Sequence, residues 1–317
     1  MADDLHAIAD LVADAFDLAN FELQDVLTAV PLLSVLPMVP SSNGTTHKWP
    51  KLTGLPVVGF RAENAGRDMD STDTTIITDT LKILDFSWEV DQAVANAWRK
   101  GSQNYIAREG LWSLRAALKA FEVQVINGTT SPGDSGGFTG LRQLSTVDAL
   151  ADSTHVINAG GTTAATASSC WAVRIAENGV AGVFKGDGSS IELGETVTQK
   201  RVVNPGTDNK TFPTWYTPGT MWLGFQEGSV YDVARIVNLT ADSGKGLTDL
   251  LISSLLALFP IGFGPTHLLM SRRSLKQLQQ SRTTYSPTGT PAPFPSEAFG
   301  VPIIVTDSIS DTEALIA

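Results

Sequence analysis

A long amphipathic helix is the clearest pattern of apolar and polar positions in this chain. Between Ser102 and Gly128, apolar residues recur at alternating intervals of four and three positions, which places them on one helical face. They are Ala107, Leu111, Leu114, Leu118, Phe121 and Val125. The charged residues between them are predicted to face solvent: Arg108, Glu109, Arg115, Lys119 and Glu122. Ser102 is the predicted N-cap and Asn127-Gly128 the predicted end. An ordinary core helix would show the same pattern.

The first 30 residues combine a second amphipathic pattern with an excess of acids. Residues 3–28 are predicted to be helical, with Leu5, Ile8 and Val12 on one side. This stretch holds seven acidic residues and no Lys or Arg. The prolines at 31, 37 and 40 predict an extended connector after the helix. The helix either packs on its own domain or acts as an arm on a neighbouring subunit, and the pattern leaves both open.

A hairpin with a polar tip is predicted after this connector. Pro56–Arg61 and Thr74–Ile83 have the composition of strands, and the stretch Glu63–Asp73 between them has little to bury. Because a two-stranded hairpin is marginally stable alone in water, we expect it to lean on its own domain or on another chain.

Strands and helices alternate through the rest of the chain. Apolar and polar residues alternate from Leu84 to Val90, which predicts a half-buried strand, and Asp91 is the predicted cap of a helix over 92–100. Residues 170–240 are rich in strand patterns. The last predicted elements are a buried helix over 247–259, a strand over 266–270, a helix over 272–281 capped by Ser271, and a strand over 301–306.

Composition narrows the class of protein. The chain has 317 residues with 42% hydrophobic residues, enough for two domains or one large one. Its formal charge of −11 argues against sequence-independent binding to phosphate backbones. Cys170 is the only cysteine, which excludes an intrachain disulfide. We expect no signal peptide and no contact with a membrane, because the N-terminus is acidic and the apolar runs are short or broken by proline.

One motif resembles a catalytic sequence. Residues 133–137 read GDSGG, as around the nucleophile of trypsin-like serine proteases, so a hydrolase using Ser135 is one alternative. The upstream histidines, His6 and His47, lack the context of those enzymes, and a glycine loop after a helix explains the motif equally well. The four histidines show no metal-ligand spacing, so we expect neither a catalytic residue nor a metal or other cofactor.

The order of these elements resembles the major capsid proteins of tailed bacteriophages, with the Hong Kong 97-like fold. The long helix ends in Val125-Ile-Asn-Gly128 and is followed by Gly136-Gly-Phe-Thr-Gly-Leu141, as in that family. The blocks 266–278 and 299–307 resemble the family's axial strand, capped helix and closing strand. Residues 170–182 with 224–238 are similar to family members that carry an added β-rich region. The resemblance covers roughly residues 30–310.

The resemblance implies an α+β fold with four regions. It predicts an N-terminal arm (1–44), an extended hairpin loop (45–83), a peripheral domain with the spine helix and its sheet (84–145 and 220–240), and an axial α/β domain (146–219 and 241–317) with a β-rich insertion near 170–219. Few residues follow Asp307, so we expect residues 220–240 to supply the strands under the spine helix.

The implied function is a major capsid protein that assembles into an icosahedral shell of hexamers and pentamers. The shell would enclose double-stranded DNA without sequence-specific binding, with a scaffolding protein, a portal and, as a further option, decoration proteins as partners. It would assemble in the bacterial cytoplasm and become part of the virion. An encapsulin-type nanocompartment with enzyme cargo is the alternative of the same fold. Candidate subunit contacts are Leu5, Ile8, Val12, Arg61, Arg67, Asp70, Arg272, Arg273 and Lys276.

Overall fold

The computed structural model describes residues 27–150, 154–186, 191–203, 210–284 and 290–316. The predicted arm helix, with Leu5, Ile8 and Val12, lies outside these residues, apart from its last two positions. Across the described ranges, helices long and apolar enough to cross a membrane are absent.

Four α-helices lie in the described part of the chain, and side chains cap three of them as the sequence predicts or allows. They are α1 (Gln92–Asn96), α2 (Ser102–Asn127), α3 (Asp249–Leu256) and α4 (Arg272–Thr284). Asp91 Oδ1 accepts a hydrogen bond from the Ala93 amide at 2.8 Å and starts α1. Thr248 and Ser271 cap α3 and α4 in the same way.

Sixteen strands in the described ranges form three sheets and one hairpin. They are β1 (Met38–Pro40), β2 (Thr46–Gly54), β3 (Asp73–Thr80), β4 (Lys82–Asp85), β5 (Trp88–Asp91), β6 (Val156–Asn158), β7 (Ser168–Val173), β8 (Ala181–Phe184), β9 (Ile191–Leu193), β10 (Val197–Val203), β11 (Lys210–Thr217), β12 (Gly219–Gln226), β13 (Val233–Leu239), β14 (His267–Met270), β15 (Glu297–Ala298) and β16 (Val301–Val305).

The sheets combine strands from distant parts of the chain. One sheet has the order β1-β8-β12-β4, with β9 also paired to β12. A six-stranded sheet has the order β15-β16-β14-β7-β13-β6, and a three-stranded sheet the order β10-β11-β5. Antiparallel β2 and β3 form the hairpin by themselves. The strands predicted as one β-rich insertion near 170–219 are therefore divided among all three sheets.

Helix α2 buries most of its predicted apolar face. Leu114, Leu118, Phe121 and Val125 are at most 1% exposed and belong to the larger of the two hydrophobic cores. The prediction is wrong at Ala107, which is exposed, because the first turns instead bury Ile106 and Gly110. Gly110 lies against the Trp88 ring, where a Cβ atom would come within 2.7 Å of Cζ2.

Glycine residues, and not the predicted serine cap, form both ends of α2. Gly101, with φ of 92°, is the N-cap, so the prediction of Ser102 in that position is wrong. Gly128, with φ of 58°, ends the helix as predicted. A backbone turn with positive φ at both ends suits glycine and leaves no side chain to cap the first turn.

Glu122 is predicted to face solvent, yet it is completely buried. Its Oε2 accepts a hydrogen bond from the Leu32 amide at 3.1 Å, and its Oε1 accepts one from Ser308 Oγ at 2.8 Å. The Thr306 hydroxyl also donates to Oε1. Three donors from two distant segments satisfy the carboxylate, which explains how a charged side chain is tolerated in the core.

Residues 220–240, which were predicted to supply the strands under the spine helix, share its hydrophobic core but do not form a single sheet there. Strand β12 belongs to the five-stranded sheet, whereas β13 lies between β7 and β6 in the six-stranded sheet. Both strands still reach the core of α2, which contains Met221 and Val233. Leu269 of β14 and Ile309, which follows β16, also enter that core, so segments from several regions of the chain meet there.

Three further predictions need correction. Pro56–Arg61 is an exposed loop, because the hairpin strand ends earlier, at Gly54. The predicted strand 84–90 is interrupted at Phe86 and Ser87, and its halves β4 and β5 join different sheets. The helix predicted to be buried over 247–259 is shorter and has one open side, where Leu250 is 76% exposed.

Candidate assembly surfaces

The hairpin exposes an unusual amount of apolar surface. Beyond the paired strands β2 and β3, the side chains of Phe60 and Met69 are fully open to solvent, and Val57 and Val58 are 71% and 84% exposed. Exposed apolar side chains concentrated on one loop are typical of protein–protein interaction sites, which makes the tip a candidate assembly surface. Val57, Val58 and Phe60 lie in the segment that was predicted to be a strand, whereas Met69 lies in the stretch that was predicted to be polar.

Hydrogen bonds to the backbone shape the hairpin tip. Asp70 Oδ2 accepts a hydrogen bond from the Val57 amide at 2.7 Å. The Arg67 guanidinium donates to the carbonyls of Val57 and Gly59. Arg61 Nη1 donates to the Ala65 carbonyl at 3.1 Å. The three charged tip residues that were predicted as subunit contacts therefore hold the two sides of the tip together and present its apolar side chains.

Strand β2 of the hairpin is fixed to the turn between β12 and β13 at Trp49 and Leu52. The Leu52 amide donates to the Gly228 carbonyl at 2.9 Å, and the Val230 amide donates to the Leu52 carbonyl at 3.1 Å. Trp49 Nε1 donates to the Glu227 carbonyl at 2.8 Å. These bonds join residues about 180 positions apart, and nothing in the local sequence pattern indicates them.

A buried group of charges lies at the same turn. The Lys51 ammonium pairs with the Glu227 carboxylate, and Arg174 Nε donates to Asp232 Oδ1 at 2.8 Å. Burial raises the pKa of Glu227 although Lys51 opposes the shift. Burial also raises the pKa of Asp232 to about 6, against the attraction of Arg174. The hairpin is thus attached to the body at Lys51 through the Glu227 carboxylate, which is costly to keep ionised, and the Arg174–Asp232 pair lies beside this contact.

The predicted basic cluster on α4 is only partly available to a partner. Arg273 donates to the carbonyls of Thr166 and Leu239 at 2.7 and 3.2 Å, which makes it a structural residue. Arg272 pairs with Asp307 at 2.6 Å, with both side chains mostly exposed. Lys276 is exposed, and within the described ranges it has no ion-pair partner. The surface that remains open consists of Arg272 and Lys276.

The GDSGG segment forms a loop that is fixed to the spine helix. Gln124 Nε2 donates to the Phe138 carbonyl at 2.7 Å, and Gln124 Oε1 accepts from the Asp134 amide at 2.8 Å. Ser135 is exposed. The described histidines are engaged elsewhere: His47 bonds to Gln226, His155 to Thr154 and His267 to Thr266. The described residues therefore place no histidine base beside the Ser135 hydroxyl.

The described residues also contain no group of three or more His, Cys, Asp or Glu side chains that could hold a metal ion. Cys170 is fully buried, and burial raises the pKa of its thiol to about 12. A thiol in this state is unreactive at neutral pH.

Comparisons with known proteins agree with the architecture. The family model for major capsid protein GP7 matches residues 22–317. A comparison with curated proteins found no match. Among solved structures, a chain of bacteriophage Epsilon15 is similar with a TM-score of 0.59 and 17% identity, over 88% of this chain and 87% of that one.

The capsid of bacteriophage JBD30 is similar over 94% of this chain and 97% of that chain, with a TM-score of 0.51 and 10% identity. The JBD30 capsid decorated with minor capsid protein trimers gives a TM-score of 0.51 and 12% identity, over 94% and 98% of the two chains. At such identities the likeness shows the fold, which is the α+β fold of phage capsid proteins.

Proposed function

The chain belongs to the major capsid protein GP7 family, and from this premise we propose that it assembles into a closed icosahedral shell of hexamers and pentamers around double-stranded DNA. As a phage capsid protein it is a structural, shell-forming component of the virion. The single observation that best supports the mode of assembly is the hairpin. It carries apolar side chains away from the body, and they gain burial only when a neighbouring subunit covers them.

The hairpin has the properties of an assembly contact that forms between folded subunits. Its strand β2 is anchored at Glu227 and Gly228, so the loop 45–83 is presented as one element. Arg61, Arg67 and Asp70 order the tip before contact, which reduces the entropy lost on binding. Phe60 and Met69 are the side chains that we assign to the neighbour. Arg272 and Lys276 provide a second, polar contact for an acidic surface of another subunit.

The partners that we propose follow from the capsid role. The JBD30 capsid, which this chain resembles in fold, is decorated with minor capsid protein trimers, and this supports a decoration protein as a partner here. A separate scaffolding protein and a portal are the further partners. Assembly in the bacterial cytoplasm would precede enclosure of the DNA. The net charge of −11 is consistent with a shell that encloses DNA without binding its phosphate groups strongly.

We also propose that the chain is not a hydrolase. Membership of a structural family supports this, as does the use of the GDSGG loop to complete the end of α2 through Gln124. A fluorophosphonate probe, which labels activated serines, should leave Ser135 unmodified. Labelling at Ser135 that is lost in Ser135→Ala would contradict this part of the proposal.

The assembly mode is tested at the hairpin tip. Phe60→Asp should reduce the yield of shells at least about tenfold, because a charge in a buried apolar contact costs more than 1.4 kcal/mol. Phe60→Leu is the matched control and should keep most assembly. Sedimentation velocity separates shells from free subunits, and thermal unfolding of the free subunit should be the same in both variants, since Phe60 is fully exposed. If Phe60→Asp and Phe60→Leu assemble equally well, the hairpin tip is not part of the subunit contact.

A further inference from the structure

The outward face of helix α2 carries a second regular stripe, which is aromatic and basic. Tyr105, Arg108, Trp112, Arg115 and Lys119 follow one another at intervals of three and four positions. The Arg108 guanidinium carbon lies 4.4 Å from the Trp98 ring centre and 4.7 Å from the Tyr105 ring centre. Trp112 is 58% exposed. The stripe lies away from the buried face of the helix and offers both apolar contact and positive charge.

Two open grooves follow this stripe and meet at Ala116 and Lys119. The first has a volume of about 490 Å³ and lies between Trp112, Arg115 and the segment that contains Thr28 and Pro31. The second has a volume of about 470 Å³ and continues past Ala120 toward Ile83, which is 57% exposed. Apolar side chains, among them Trp112, Ala116 and Phe121, line the floor of these two adjoining grooves, which we together call the spine groove.

Cations border the spine groove along its length. Arg115, Lys119 and Arg272 line the first part, and Lys82 and Lys119 line the second. The acids on the same two walls are Asp307, which pairs with Arg272, and Asp134, whose Oδ1 accepts from the Gly136 amide. A suitable occupant is therefore elongated, apolar on one side and acidic on the other.

The chain itself supplies a segment with this chemistry. Residues 1–26 lie outside the described residues, and their sequence has seven acids, no Lys or Arg, and apolar positions that include Leu5, Ile8 and Val12 at helical spacing. A helix of that length measures about 39 Å at 1.5 Å per residue, which equals the length of the 26-residue α2.

The position at which residues 1–26 join the rest of the chain favours them over other occupants of the groove. Thr28, the second described residue, lines the spine groove itself. The segment that precedes it is therefore tethered at the groove at high effective concentration, whereas an acidic partner from solution would have to compete with it.

We propose that residues 1–26 dock in the spine groove of their own subunit, with Leu5, Ile8 and Val12 toward its floor and acids against Arg115 and Lys119. Docking there covers exposed Trp112 and neutralises the most basic surface of the helix. Leu5, Ile8 and Val12, which the sequence analysis named as candidate subunit contacts, would then pack on their own subunit. This proposal does not depend on shell formation.

Two measurements on the full chain test the proposal. Hydrogen exchange followed by mass spectrometry should show protected amides within residues 1–26. In Arg115→Glu/Lys119→Glu their exchange should become at least about tenfold faster, while the core of α2 stays protected. The matched control, Lys48→Glu/Lys200→Glu, reverses two exposed cations away from the groove and should keep the protection. The proposal would be overturned if the amides of residues 1–26 show no protection from exchange in the unaltered chain. It would also be overturned if both variants lose this protection equally.

The second measurement identifies the subunit that holds the segment, and it needs no variant. Isotopically labelled and unlabelled full-length chains are mixed before assembly and treated with a carbodiimide, which joins a lysine amine to a carboxylate as an amide with loss of water. Cross-links from Lys119 to the acids of residues 1–26 should join peptides of one isotope only. Mixed-isotope cross-links would place the segment on a neighbouring subunit and would overturn docking within the same chain. A complete absence of cross-links from Lys82 and Lys119 to this segment would equally count against it.

Discussion

The hydroxyl of Ser308 donates a hydrogen bond to the buried carboxylate of Glu122, with 2.8 Å between Oγ and Oε1. The other oxygen of Glu122 accepts from the Leu32 amide at 3.1 Å. One turn later in the same helix, Asn127 Nδ2 donates to the Ser308 carbonyl at 3.0 Å. Helix α2, the spine helix, is therefore the element to which both the segment around Leu32 and the C-terminal segment around Ser308 are attached.

We predict that Glu122→Ala lowers the free energy of unfolding by roughly 2–4 kcal/mol, because it leaves buried donors without an acceptor. Glu109→Ala, on the exposed side of the same helix, is the control and should cost less than about 0.5 kcal/mol. Chemical denaturation of unassembled protein measures both. If the two variants lose the same stability, the buried carboxylate is not the tie between the two segments.

We predict that the attachment of the hairpin to the body depends on Lys51 more than on Lys48, which lies on the same strand. Lys51→Met leaves the Glu227 carboxylate buried without its cation, so the contact at Leu52 should open more often. Hydrogen exchange of the β2 and β3 amides should accelerate in Lys51→Met and remain near the original rate in Lys48→Met, since Lys48 is exposed on the same strand. Unchanged exchange in Lys51→Met would mean that the backbone bonds alone hold the hairpin.

The raised pKa of Asp232 predicts a particular pH dependence. Burial moves the pKa from the usual 3.8 to about 6 in the folded protein, so between these values the folded state binds more protons than the unfolded state. The contribution of Asp232 to stability therefore improves as pH falls from 7 through 6 toward 4. The raised pKa of Glu227 acts in the same direction.

Urea denaturation at pH 7 and pH 5 measures this effect. The gain in stability at pH 5 should be smaller in Asp232→Asn than in the unaltered chain, because asparagine does not titrate. Asp242→Asn is the control. The hydroxyls of Thr163 and Thr240 hold the pKa of that exposed carboxyl below its usual range, so this change should not reduce the gain. An Asp232→Asn variant that keeps the full gain would rule out Asp232 as its source.

The loop that contains GDSGG should respond to the loss of Gln124 and not to the loss of Ser135. Gln124→Ala removes the three hydrogen bonds that fix the backbone at Asp134 and Phe138 and should cost about 1–3 kcal/mol. Ser135→Ala changes an exposed side chain and should leave both the melting temperature and the yield of shells unchanged. A large effect of Ser135→Ala on assembly would give that hydroxyl a role in a subunit contact.

Sequence patterns predicted the features that depend only on residues close together in the chain. The periodicity of α2, the caps at Asp91 and Ser271 and the stop at Gly128 are properties of a few adjacent positions, and the structure contains all of them. The order of elements was sufficient to indicate the family, and the family match covers nearly the whole chain.

Features that depend on distant segments were not predictable. Glu122 occupies a polar position by helical periodicity, and its burial is explained only by donors at Leu32 and Ser308. Strands β12 and β13 follow each other closely in the chain, yet they join different sheets, and Leu52 of the hairpin is hydrogen-bonded to the turn between them. The apolar residues of Pro56–Arg61 resembled a strand, because the pattern alone cannot distinguish a strand from an exposed loop that carries apolar side chains.

Electron microscopy of the purified full-length protein, alone and with a scaffolding partner, tests the central claim most directly. The account predicts closed shells of uniform diameter, built of hexamers with pentamers at the vertices. Shells from infected cells should contain DNA, whereas an encapsulin-type compartment would contain an enzyme. Protein that stays monomeric under every condition, including with a scaffolding partner, would contradict the account.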